Sequence, residues 1–152
     1  MKRLYIAYGS NLNKDQMVYR CPGAKPLAKS WLWDYRLVFQ GHPRNAHANV
    51  IHEKGSCVPV VVWEITKRDE ISLDRYEGVK GGYYTKEYFS IEVDGKMEIA
   101  LIYIMAPNPY GMPSDYYLHT LVQGYKDFNF DARILNNAVI HAYNHAKIKR
   151  AQ

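Results

Sequence analysis

The sequence predicts an α+β fold, a strongly curved or closed sheet with helices against it. Three observations carry this. Short runs with strand composition fill the N-terminal and central chain, beginning with Leu4, Ile6 and Tyr8 alternating against Tyr5 and Ala7. Asp94-Gly95 joins two further runs, 83–93 and 97–105, and is the strongest hairpin signal present. The C-terminal part changes period. Leu118, Leu121, Val122 and Tyr125 share one helical face, and Leu135, Ala138, Val139, Ala142 and Tyr143 share another.

In chain order, 4–8 reads as a strand that Gly9-Ser10-Asn11 stops. Asn13, with Gln16 three residues on, caps a short helix to Arg20, and Pro22-Gly23 ends the segment. Residues 31–40 alternate Trp33, Tyr35, Leu37 and Phe39 with polar or smaller residues, and 41–45 reads as a loop. A weak strand at 46–52 is followed by Glu53-Lys54-Gly55-Ser56, read as a turn into a buried strand at 57–65. Pro59 near its start is the one feature against that strand. Thr66 and Asp69 have capping-box spacing for a helix carrying Ile71, Leu73 and Tyr76, which Gly78 ends. Residues 107–113 form a loop, Ser114 caps the next helix and Asp131 the last.

With 152 residues the chain is expected to form one domain, 1–152, able to bury a sizeable core. An apolar content of 47% with 23% charged residues excludes a disordered chain. No apolar run reaches the length of a membrane span, and the N-terminus lacks a signal-peptide pattern, so a cytoplasmic location without membrane attachment is expected. Two cysteines, Cys21 and Cys57, are too few for a disulfide scaffold and read as free thiols. The net charge of +5 and fourteen tyrosines raise nucleic acid as a partner, but the basic residues are scattered. Their one tight cluster, Lys147, Lys149 and Arg150, suits the negative end of a last helix. No nucleic-acid partner is expected. Exposed aromatics could serve an interface, and the sequence leaves the oligomeric state open.

Two stretches carry the chemistry. Tyr8-Gly9-Ser10-Asn11-Leu12 follows a strand, and Gly9 lets successive N–H groups converge on a carboxylate or phosphate. Leu73-Asp74-Arg75-Tyr76-Glu77-Gly78, with Gly81-Gly82-Tyr83-Tyr84 beyond it, puts a glutamate in a last helical turn, where the dipole disfavours negative charge. Shielding by Tyr76, Tyr83 and Tyr84 would raise its pKa towards neutrality. Together the two stretches resemble the gamma-glutamylcyclotransferase-like family. Arg20-Cys21-Pro22, Tyr35-Arg36-Leu37, Val58-Pro59, Trp63-Glu64-Ile65, Pro113-Ser114 with Tyr117, and Gly124-Tyr125 extend the resemblance over nearly the whole chain.

The resemblance implies a small mixed, mostly antiparallel β-barrel flanked by helices, and an activity that releases 5-oxoproline from a γ-glutamyl compound. It makes Glu77 the catalytic general acid and base. It assigns substrate binding to the backbone of Tyr8, Gly9, Ser10, Asn11 and Leu12, with Tyr84 and Tyr117 in the pocket. No metal or other cofactor is required, and the expected partner is a small γ-glutamyl substrate. Val61 and Asn129 stand where the family commonly has glycine, which leaves the shape of the pocket wall open. Two alternatives remain: a non-catalytic module binding a small carboxylate, or another amide-processing enzyme on the same fold. His141 and His145 lie four apart, but no third metal ligand accompanies them. The identity of the leaving amine is not legible; residues 41–48 and 107–113 would line that half of the pocket.

Overall fold

A computed structural model describes residues 2–146. The basic cluster Lys147, Lys149 and Arg150 lies outside the described residues. Strand β1 (Arg3–Ala7) leads into a 3₁₀ turn (Ser10–Leu12) and helix α1 (Lys14–Arg20). Strands β2 (Lys25–His42) and β3 (Asn45–Ile65) form a long hairpin, and α2 (Lys67–Tyr76) follows. A second hairpin, β4 (Tyr84–Val93) and β5 (Lys96–Met105), precedes α3 (Asp115–Asp127) and α4 (Ala132–His145). The sheet order is β2-β3-β1-β5-β4. Only β1 and β5 run parallel, meeting at Tyr5 and Leu101. The fold is therefore α+β with a mixed, mostly antiparallel sheet.

The sheet does not close into a barrel. Its edge strands approach each other without a ladder: Ser30 Oγ on β2 donates to the Glu92 carbonyl on β4 at 2.7 Å. The Tyr35 and Phe89 rings meet in this seam, 5.4 Å between centroids. Ladder pairing needs backbone groups aligned on strands about 4.8 Å apart; here a side-chain bond and a ring contact join the two edges instead. Along the seam Trp33 and Tyr88 remain exposed.

Residues 53–56 do not separate two strands. Trp33 pairs with Cys57 and Tyr35 with His52, so these four residues bulge opposite the single Asp34. Asp34 adopts φ 64° and accepts the Gly55 N–H at 2.9 Å. The turn-forming residues serve a bulge because both flanking runs pair with the same strand, β2. Pro59 is tolerated because β1 pairs with β3 only between Val61 and Ile65. At Pro59 just one side of β3 has a neighbour, Trp31.

The helix starts follow local chemistry. Asn13 Oδ1 accepts from Gln16 N at 2.9 Å, and Ser114 Oγ accepts from Tyr117 N at 3.1 Å. Thr66 and Asp69 complete a reciprocal capping box. Asp131 caps α4, which packs on β2. The Asp94-Gly95 turn has φ 50° and 83°, as a two-residue hairpin with two left-handed residues requires. Asn129 takes φ 56° after the end of α3, a conformation that glycine adopts freely and asparagine tolerates. Val61 is fully buried between β1 and β2 and does not reach the pocket wall. Among the described residues, no helix is long and apolar enough to cross a membrane.

Candidate active site

The turn after β1 and the end of α2 meet at a cavity of about 400 Å³. Glu77 is the C-cap of α2, and its N–H donates to the Leu73 carbonyl at 2.8 Å. Gly78 then adopts φ 64°, which ends the helix and leaves the Glu77 side chain at the cavity. A Cβ at Gly78 would lie 2.9 Å from Tyr83 Cδ2, so this step needs glycine twice over. Among the described residues no donor binds the Glu77 carboxylate. Desolvation raises its pKa to about 7, with the charge of Arg20 pulling the other way.

The 3₁₀ turn spends two of its N–H groups internally. Leu12 N donates to Gly9 O and Asn13 N to Ser10 O, each at 3.0 Å. Among the described residues, the N–H groups of Gly9, Ser10 and Asn11 make no such bond, and these three residues line the cavity. Leu12 does not; its side chain is fully buried in the core. The Tyr8 hydroxyl lines the cavity yet is committed, donating to the Tyr103 carbonyl at 2.6 Å and tying the end of β1 to β5.

Tyr84 and Tyr117 converge on one residue of β3. The Tyr84 hydroxyl donates to the Ala48 carbonyl at 3.1 Å, and the Tyr117 hydroxyl accepts the Ala48 N–H at 3.0 Å. The proton of Tyr117 is thus left to donate into the cavity, whereas Tyr84 offers lone pairs. Burial raises both phenol pKa values far above the ordinary range, so both groups stay neutral. Tyr117→Phe leaves the Ala48 N–H without its acceptor and is expected to lower stability by about 1 kcal/mol, measured by denaturant unfolding. An unchanged midpoint would show that this bond carries no weight.

Sequence reasoning reached His47 only as part of the stretch 41–48 and missed Arg20 as a site residue. His47 lies in the cavity wall with its ring 4.6 Å from that of Tyr117, edge to face. Burial lowers its pKa, and Arg20 adds to the effect, favouring neutral imidazole. Arg20 ends α1, where a basic residue reads as an ordinary complement to the helix dipole. It is in fact buried at 8% exposure, and no local sequence signal marks that. His141 and His145 stack on each other outside the cavity, with centroids 4.1 Å apart.

Comparison with known proteins identifies the family. The family described as "Gamma-glutamyl cyclotransferase, AIG2-like" matches residues 5–122. The bovine (Bos taurus) protein named "Gamma-glutamylcyclotransferase" is 32% identical over 133 residues, covering 82% of this chain and 70% of that one. Its human (Homo sapiens) counterpart is 32% identical over 132 residues with the same coverage. A solved structure titled "Gamma-glutamyl cyclotransferase" superposes with a TM-score of 0.81 at 27% identity, covering 91% of this chain and 86% of that chain. YkqA from Bacillus subtilis shares the fold, with a TM-score of 0.77 at 17% identity over 93% of this chain and 54% of that chain. The chain belongs to the gamma-glutamyl cyclotransferase, AIG2-like family, and with it to the cyclotransferase enzymes.

Proposed function

We propose that this cyclotransferase releases 5-oxoproline and an amine or amino acid from a γ-glutamyl compound, with Glu77 moving the protons. The substrate's α-amine attacks its own γ-carbonyl carbon, so nucleophile and electrophile arrive already joined. The enzyme holds the glutamyl chain folded while Glu77, as carboxylate, takes a proton from the ammonium. The new C–N bond closes a five-membered ring and leaves the ring nitrogen with one proton too many; the bond to the leaving nitrogen breaks as Glu77 delivers the first proton to it, and Glu77 then passes on the second, so the products are the neutral lactam and an ammonium.

One observation carries the reading. Glu77 is a carboxyl with no hydrogen-bond donor of its own among the described residues, lining the same tyrosine-rich cavity as the Gly9 to Asn11 turn, with a pKa pushed up to about 7. A group titrating there can accept and return a proton at neutral pH. The N–H groups of Gly9, Ser10 and Asn11 are the donors for the substrate α-carboxylate, and the Tyr117 hydroxyl is a further donor to a polar substrate group. The leaving amine lies towards His42 and Asn45, the paired ends of β2 and β3, and Asn108 on the loop after β5.

The test is kcat/KM for γ-glutamyl substrates against pH, with 5-oxoproline as the measured product. Only the ionised carboxylate accepts the proton. The rate is therefore expected to fall about tenfold per pH unit below the Glu77 pKa of about 7 and to level above it. A rate independent of pH through the neutral range would remove Glu77 from the role.

A further inference from the structure

Arg20 is the only Lys or Arg among the buried residues described, and no Asp or Glu there forms an ion pair with it. A buried cation without an ionic partner is costly unless its donors are satisfied. Its donors reach three neutral oxygens. Arg20 Nη1 donates to Ser10 Oγ at 3.1 Å and to Asn11 Oδ1 at 2.7 Å, and Nη2 donates to the Tyr76 hydroxyl. The guanidinium also lies 3.3 Å over the Tyr76 ring centroid. Asn11 continues the chain of contacts through Nδ2 to the Tyr5 hydroxyl at 2.9 Å. The Arg20 carbonyl accepts from Ser72 Oγ at 2.8 Å, which fastens α1 to α2 a second time.

One side chain thus touches both the turn that lines the cavity and Tyr76, the residue preceding the glutamate in the same lining. We propose that Arg20 is the positioning residue of this active site: it locks the Ser10-Asn11 turn to the end of α2 and holds a positive charge within electrostatic reach of Glu77. The proposal rests on the cyclotransferase reading above. Lysine could supply the charge but not the fork that reaches Ser10, Asn11 and Tyr76 together.

The other groups facing Glu77 do not supply a competing charge. Tyr5 on β1, Tyr8 just after it, Tyr84 on β4, Tyr103 on β5 and Tyr117 on α3 are all shifted upward by burial and stay neutral. Tyr76 and Tyr83 also line the cavity, and His47 on β3 is biased towards its neutral form. Arg20 is then the cation that favours ionised Glu77 among the described residues.

Three variants, Arg20→Lys, Arg20→Met and Tyr76→Phe, test this by two readouts: the pH profile of kcat/KM, and titration of the Glu77 carboxyl followed by ¹³C NMR. Arg20→Met is expected to move the Glu77 titration and the acidic limb to higher pH by about one pH unit and to cut kcat/KM about 10²-fold. Arg20→Lys should leave the limb in place while kcat/KM falls at least about tenfold, through loss of positioning. Tyr76→Phe keeps the ring and loses the hydroxyl partner, so a smaller loss of kcat/KM, about threefold, is expected without a moved limb. If Arg20→Met fails to fold, the Arg20→Lys and Tyr76→Phe results still decide positioning. Wild-type activity in Arg20→Lys, or an unmoved Glu77 titration in folded Arg20→Met, would overturn the proposal. Failure of the native protein to form 5-oxoproline would count against the functional reading instead, and the NMR titration would still report on Arg20.

Discussion

Glu77→Gln is expected to reduce 5-oxoproline release by about 10²–10⁴-fold while the fold is retained. Glutamine keeps the shape of the side chain and its place at the C-cap of α2 but cannot carry a proton. The same substitution should change the pH dependence of stability. Glu77 titrates near 4.5 when unperturbed and near 7 in the folded protein. Between those values the folded state binds more protons than the unfolded state, so stability falls as pH rises through the window. Allowing for solvent reaching the cavity, the loss is about 2 kcal/mol. Glu77→Gln lacks this term, and denaturant unfolding at pH 5 and pH 8, about the edges of the window, should show the decline in the native protein alone. An equal decline in both proteins would mean that the carboxyl is not desolvated as described. Retained activity would mean that another group moves the proton.

Gly124→Ala is expected to destabilise the protein by about 2 kcal/mol and to raise KM about tenfold, although alanine is the better helix former. Gly124 lies on the face of α3 that meets the 3₁₀ turn. An added Cβ would come 2.8 Å from Leu12 Cβ, 2.9 Å from Asn13 N and 3.0 Å from Leu12 C. Two of those atoms are backbone, and Leu12 is fully buried, so neither side can yield cheaply. The propensity gain of about 1 kcal/mol is smaller than the cost of separating helix and turn. Separation also strains the bond from Asn13 Nδ2 to the Thr120 carbonyl at 3.2 Å and that from Lys14 N to Asp127 Oδ2 at 3.0 Å. The turn that lines the cavity shifts with them. Thermal unfolding and steady-state kinetics check this; an unchanged Tm with unchanged KM would show that α3 does not brace the turn.

What could be read from the sequence was what depends on neighbours along the chain. The Asp94-Gly95 hairpin, the caps at Asn13, Thr66, Ser114 and Asp131, and the helix end at Gly78 each rest on a few adjacent residues. Residues 53–56 failed for a physical reason, since a four-residue bulge and a turn draw on the same residue types. Whether β2 and β4 pair depends on how two strands distant in sequence approach each other, which no local pattern encodes. The candidate site divides the same way. Glu77, Tyr84 and Tyr117 came from motifs, and all three line the cavity. Leu12 was included with its neighbours because loop and core residues are continuous in sequence, whereas its N–H closes the turn. Arg20 was invisible as a site residue because its burial arises only when α1, α2 and the turn pack together.

The most direct test of the central claim is the product balance of turnover on a panel of γ-glutamyl peptides and amines, quantifying 5-oxoproline, free glutamate and released amine together. Intramolecular attack predicts equimolar 5-oxoproline and amine, with no glutamate above the uncatalysed background. Equimolar glutamate and amine would mean that water, not the substrate's own α-amine, attacks the γ-carbonyl, and the chemistry assigned to this cavity would be wrong.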